Sequence, residues 1–80
     1  MLSILYFARL REDLGLAQES LPASFVDVHS LKTHLMARGG LWACLADPSI
    51  RVAVNQVLAD DHSKLKTGDE VAFFPPVTGG

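Results

Sequence analysis

The sequence predicts an α+β roll, a sheet of short strands with one main helix packed on one face. Three observations carry that prediction. Residues 2–7 and 70–74 both read as apolar strands. A single capped helix signal lies between them, from Asp27 to Arg38. Residues 51–58 hold two further short strands about a turn, giving the order ββαββ with an extra short helix. Terminal strands this apolar belong side by side at the centre of the sheet, beneath the helix. The folded domain is assigned to residues 1–74, and residues 75–80 to a flexible tail.

Each element has its own warrant. Leu2 to Phe7 is β-rich and bounded by polar residues, which marks an opening strand. Arg9 to Gly15, with Arg11-Glu12-Asp13 and a glycine, reads as a turn-prone linker. Gln18 to Leu21 follows as a second strand, paired as a hairpin with the first. Asp27 is placed to cap a helix, with Val26 and Leu31 at the spacing of a hydrophobic staple. Val28, Leu31 and Leu35 then fall on one helical face, and Gly39-Gly40 supplies the left-handed stop. Leu41 to Ala46 reads as a short second helix with Trp42 and Leu45 turned inward.

Arg51 to Asn55 alternates, with Val52 and Val54 as the buried pair. Asn55-Gln56 is a turn into a short strand at Val57-Leu58. Asp60 to Leu65 is polar and is expected to contain one tight helical turn. Thr67-Gly68-Asp69 is a turn into the last strand, Glu70 to Phe74. In the first strand Leu2, Ile4 and Tyr6 face the core, and in the last strand Val71 and Phe73 do. The side away from the helix then carries Leu5, Phe7, Leu58 and Phe74 as one apolar patch beside the root of the tail.

Composition narrows the function. The chain is 80 residues long, 49% hydrophobic and only 20% charged, so some apolar surface is expected to face a partner. A net charge of −2 without a Lys/Arg cluster argues against a nucleic-acid surface. One cysteine cannot form an internal disulfide and fits a reducing compartment. The apolar start is too short to span a bilayer and lacks a basic leader, so a cytoplasmic protein with no membrane partner is expected.

Chemistry inside the domain finds little support. Cys44, between Trp42 and Leu45, has the setting of a packing residue rather than a nucleophile. His29, His34 and His62 lack metal-ligand spacing, so no metal site is expected. Asp60-Asp61 and Asp69-Glu70 sit where turns call for carboxylates. No GxGxxG or phosphate loop is present, and Lys64 and Lys66 read as ordinary loop lysines.

The tail is different. Pro75-Pro76 ends any β-ladder, and Val77-Thr78-Gly79-Gly80 has too little apolar surface to fold back. Six extended residues reach about 20 Å. Glycines without a Cβ pass through a slot that excludes other residues, so such an arm delivers the carboxylate of Gly80. The patch would hold a partner while the arm enters its active site.

The run Gly68-Asp69-Glu70-Val71-Ala72-Phe73-Phe74-Pro75-Pro76-Val77-Thr78-Gly79-Gly80 closely resembles the C-terminus of the small subunit of molybdopterin synthase (the MoaD type). Val54-Asn55-Gln56 and Leu5-Tyr6-Phe7-Ala8 with Arg11-Glu12 extend the resemblance over essentially the whole chain. It implies a ubiquitin-like β-grasp fold with a mixed sheet, and a sulfur carrier rather than a free-standing enzyme. By resemblance, Gly80 would be adenylated by a ubiquitin-activating-type enzyme that uses ATP, then converted to a thiocarboxylate. Pro75, Pro76, Val77, Thr78 and Gly79 would thread it into the large subunit of a heterotetramer. There its sulfur would pass to a cyclic pyranopterin monophosphate, forming the dithiolene. Phe7, Leu58 and Phe74 match the family's partner-binding surface, and no cofactor would be bound by this chain. Rival readings are a sulfur carrier for thiamin thiazole or tRNA thiolation, a ubiquitin-like modifier, and a binding module with an inert tail.

Overall fold

The computed structural model describes residues 1–75; of the expected tail, Pro76, Val77, Thr78, Gly79 and Gly80 lie outside the described residues. The elements are β1 (Leu2–Tyr6), α1 (Ala8–Leu14), β2 (Gln18–Leu21), α2 (Val28–Met36), a 3-10 helix (Gly40–Ala46), β3 (Arg51–Val54), β4 (Val57–Ala59) and β5 (Glu70–Phe74). Five strands form one mixed sheet in the order β2-β1-β5-β3-β4. The two terminal strands are neighbours and run parallel, with Ile4 opposite Val71 and Tyr6 opposite Phe73. β5 therefore lies at the centre with β3 antiparallel on its other side.

Both parities read from the strands hold. Leu2, Ile4, Tyr6, Val71 and Phe73 are buried, and α2 covers them with Val28, Leu31 and Leu35. Each such side chain taken from water contributes about 1.5–3 kcal/mol, which for this cluster far exceeds any surface ion pair. The helix starts where the sequence places it. Asp27 accepts a bond from the Ser30 N–H at 2.8 Å, and Ser30 Oγ in turn accepts from the Asp27 N–H. Leu45 of the 3-10 helix is buried, and Trp42 packs against the same core.

Several expectations need correction. Arg9 to Gly15 is not a linker but the body of α1, whose Leu10 and half-buried Leu14 lie four residues apart on one face. The charged run Arg11-Glu12-Asp13 is the solvated side of that helix. Gly15 closes it at φ +76°, its N–H donating to the Arg11 carbonyl. β1 and β2 pair as expected but are joined through α1, not through a tight turn. β1 stops at Tyr6, because Ala8 adopts φ +52° and swings the chain off the sheet. Val26 is 62% exposed, so the expected staple buries nothing.

Asp60 to Leu65 holds a hydrogen-bonded turn, Ser63 N–H to Asp60 O, and no helix. Its carbonyls serve another purpose: those of Asp61 and Ser63 accept the His29 and Val28 amides at the start of α2. β3 ends at Val54, which is half-buried, and β4 runs one residue further than read, to Ala59.

Candidate functional site: the open sheet face and the root of the tail

The face of the sheet turned away from α2 is built by register. Leu5 lies opposite Ala72, Ala72 opposite Ala53, and Ala53 opposite Leu58. Alternation puts these four on one face, so an apolar row crosses from β1 to the outermost strand. Two alanines make its middle shallow, and Leu58 stands at its far end, 64% exposed.

Phe7 and Phe74 extend this face. Each is one step beyond the Tyr6–Phe73 pair, and because β1 and β5 run parallel they lie at the same end of the sheet. The Phe7 N–H donates to the Phe73 carbonyl at 3.1 Å, which carries the pairing that one step further. Phe7 is 48% exposed and Phe74 half-buried. The chain leaves the sheet here, at Pro75. Arg51 lies opposite Phe74 and puts a cation at the rim. The other end of the face is polar, with Ser3 between Ser20 and Glu70. The apolar surface is thus concentrated at the root of the tail and toward β4.

Sequence reasoning placed Phe7, Leu58 and Phe74 on one face, and all three are there. It set Ala72 on that face without counting it in the patch and omitted Ala53; together they complete the row. The signal was present: if Val52 and Val54 point inward, Ala53 points outward, but alanine is too small to register as a patch residue. Of the expected tail only Pro75 is among the described residues.

Beside the root lies a cleft of about 580 Å³ whose lining includes Arg9, Asp13, Cys44, Asp47 and Pro75. Burial pushes the Cys44 thiol up, and the Asp13 carboxylate pushes it further, so the thiolate needed of a nucleophile is disfavoured. His34 packs on Phe25 with ring centres 4.9 Å apart. Among the described residues no group of three or more His, Cys, Asp or Glu side chains is placed to hold a metal ion. Three of the four turn carboxylates are engaged within the fold. Asp61 pairs with Lys32 at 2.8 Å, Asp60 accepts the His62 N–H, and Asp69 accepts from Asn55 and the Lys66 N–H.

What the described residues offer is therefore an open apolar face that reaches Phe74 and Pro75, the last residues described. The sequence model of the ThiS family matches residues 4–80. Over 81 aligned residues, covering all of both chains, the protein is 44% identical to the molybdopterin synthase sulfur carrier subunit of Escherichia coli (strain K12). The identity with its counterpart in Haemophilus influenzae is 43% over the same span.

The chain belongs to the ThiS family.

Solved structures agree with this ThiS-family assignment. Small archaeal modifier protein 1 from Methanosarcina acetivorans matches with a TM-score of 0.79 at 25% identity, over 99% of this chain and 95% of that one. The complex of subunits 1 and 2 of molybdopterin-converting factor from Helicobacter pylori 26695 matches with 0.73 at 26%, covering 99% and 97%. The mixed five-stranded sheet with its covering helices is the ubiquitin-like β-grasp expected of a ThiS-family chain. Among its described residues no helix is long and apolar enough to cross a membrane.

Proposed function

We propose that this chain is the sulfur-carrying small subunit of a molybdopterin synthase, with the Gly80 carboxylate as its reactive group. One observation supports the reading above others: the apolar row and Phe7 meet Phe74 at the point where the chain departs toward Gly79-Gly80. Full-length identity of 44% with a sulfur carrier subunit supports the pathway.

In this reading the chemistry divides between partners. The Gly80 carboxylate attacks the α-phosphate of ATP on an activating enzyme, releasing pyrophosphate and forming an acyl-adenylate. A sulfur nucleophile displaces AMP, where oxide could not have left, and a thiocarboxylate results. Its sulfur attacks a carbon of the cyclic pyranopterin monophosphate on the large subunit. The C–O bond at that carbon breaks, and its oxygen leaves as water or stays on the phosphate. Water then cleaves the acyl–sulfur bond and restores the carboxylate. A dithiolene carries two sulfurs, so two charged carriers are consumed for each product.

This chain's own residues dock and position. Phe7, Leu58 and Phe74 seat the large subunit in a heterotetramer, and Pro75, Pro76, Val77, Thr78 and Gly79 are the segment that enters its active site ahead of Gly80. Docking makes transfer effectively intramolecular, which raises the local concentration of the sulfur. The chain needs no bound cofactor of its own for this role.

Intact-mass measurement of protein from its native host tests the proposal. Replacement of one oxygen by sulfur at Gly80, with turnover on addition of large subunit and pterin precursor, is expected. A ladder of lysine conjugates in place of that mass shift would instead make the chain a modifier.

A further inference from the structure

We infer that β4 is a pairing edge, at which an extended segment of the large subunit adds a strand beside Leu58; the inference rests on the function proposed above. Asn55 and Gln56 both take positive φ, +52° and +68°, in a two-residue turn between β3 and β4. That is the geometry of a type I′ hairpin, in which the flanking pair, Val54 and Val57, exchanges both of its backbone bonds. The next residue on β4 then turns its N–H and C=O away from β3. That residue is Leu58, and among the described residues no backbone bond from elsewhere in the fold reaches it.

Sheet edges are normally guarded by charge, proline or a bulge, because an open edge recruits other strands. The two edges here differ. β2 reads Gln18-Glu19-Ser20-Leu21, and its Glu19 is held by Tyr6 and Arg38. β4 reads Val57-Leu58-Ala59, with neither charge nor proline and only its three-residue length to limit pairing, and Val57 is 68% exposed. This uncharged edge is also the end of the apolar row at which Leu58 stands. A strand added there continues the row without a step, so backbone pairing and side-chain docking fall on one continuous surface. An extended segment with an apolar side chain on the row's face fits that edge, with its neighbours on either side free to be polar.

Backbone amide exchange of this protein, free and bound to purified large subunit, tests the inference. The Leu58 amide is expected to exchange at least about tenfold more slowly in the complex, as one new hydrogen bond requires. Leu58→Pro removes that donor at a site where the hairpin does not use it, and Leu58→Ala keeps it. The proline variant is expected to bind about tenfold more weakly than the alanine variant, with its melting temperature checking that it folds. Unchanged Leu58 exchange in a complex that does form overturns the edge and leaves the docking face intact. Protection of Leu58 in the protein alone, rising with its concentration, makes the occupant a second copy and also overturns it. Failure of wild-type protein to bind the large subunit at all removes the functional reading itself.

Discussion

Asn55 Nδ2 donates to Asp69 Oδ1 at 3.0 Å, tying the β3–β4 turn to the start of the central strand. The same side chain accepts the Glu70 N–H at 3.0 Å, and the Asn55 N–H donates to the Glu70 carbonyl at 2.8 Å. Asn55 thus serves two ends at once. It tolerates the left-handed backbone of the turn, and its amide copies a missing strand neighbour for β5.

Substitution separates these two roles. Asn55→Gly keeps the turn but loses the side-chain bonds, and is expected to cost about 1–2 kcal/mol. Asn55→Ala loses the bonds and also strains the turn, adding about 1 kcal/mol more. Equal losses in chemical denaturation would show that the turn conformation is not what asparagine is there for.

The same contact sets a pH dependence. Asn55, and then the Lys66 N–H, hold the Asp69 carboxyl below its ordinary value of 3.8. A depressed folded-state pKa stabilises the fold above the unfolded value, and that stability is lost as pH falls from about 4 through the folded value. Melting temperature should therefore fall on acidification below pH 4. Removing Asn55, the first cause of the shift, should flatten that limb, and an acid limb unchanged in Asn55→Ala would locate it elsewhere.

Tyr6 predicts sensitivity at the opposite extreme. Its hydroxyl donates to Glu19 Oε2 at 2.8 Å, and Arg38 grips both Glu19 oxygens at 2.8 Å. The guanidinium also lies 4.5 Å from the centre of the Trp42 ring. Burial, and then Glu19, raise the Tyr6 pKa above its ordinary 10.0. A raised folded-state value leaves stability intact below pH 10, and it is lost as pH climbs above that, where only the unfolded chain ionises. Tyr6→Phe is expected to cost about 1–2 kcal/mol at neutral pH while softening the alkaline loss. A Tyr6→Phe variant that melts like wild type at pH 7 would mean that Glu19 is satisfied by Arg38 alone.

Ala8 gives a prediction of opposite sign. It opens α1 at φ +52°, where an L-residue costs about 1–2 kcal/mol relative to right-handed backbone. Glycine has no such penalty but orders more of the unfolded chain's freedom, so Ala8→Gly should stabilise by up to about 1 kcal/mol. Destabilisation on denaturant titration would show that the alanine methyl contributes packing worth more than the strain.

Much of this was legible in the chain, for identifiable reasons. Strand parities followed from Ser3 and Glu70, single polar residues in apolar runs that mark a wet face. α2 announced itself through Asp27 and the Val28, Leu31, Leu35 spacing, because cap and stripe are local signals. α1 was hidden: seven residues give one buried leucine, Leu10, and four charges around it look like a turn. Its real marks were the Leu10–Leu14 spacing and Gly15. The staple failed because spacing cannot tell whether the covering chain arrives, and Val26 is left to solvent. Ala53 escaped notice, and Ala72 was not counted in the patch, because a flat floor depends on what stands opposite, which is register and not composition.

Phe74 offers the sharpest separation of folding from binding. It belongs to the central strand, yet its side chain is on the open face and only half-buried, while its neighbour Phe73 carries the core packing on the other side. A charge at position 74 therefore meets water in the free protein and a desolvated apolar surface in the docked one. Phe74→Asp is expected to keep a melting temperature within a few degrees of wild type. Binding to the large subunit should weaken by about thirtyfold or more, the loss typical of a buried aromatic anchor. Arg51, directly opposite, gives the new carboxylate a partner in the free monomer, which further protects the fold but not the interface. Collapse of the monomer would place Phe74 in the core. Binding undiminished in a folded variant would move the docking face away from the tail altogether.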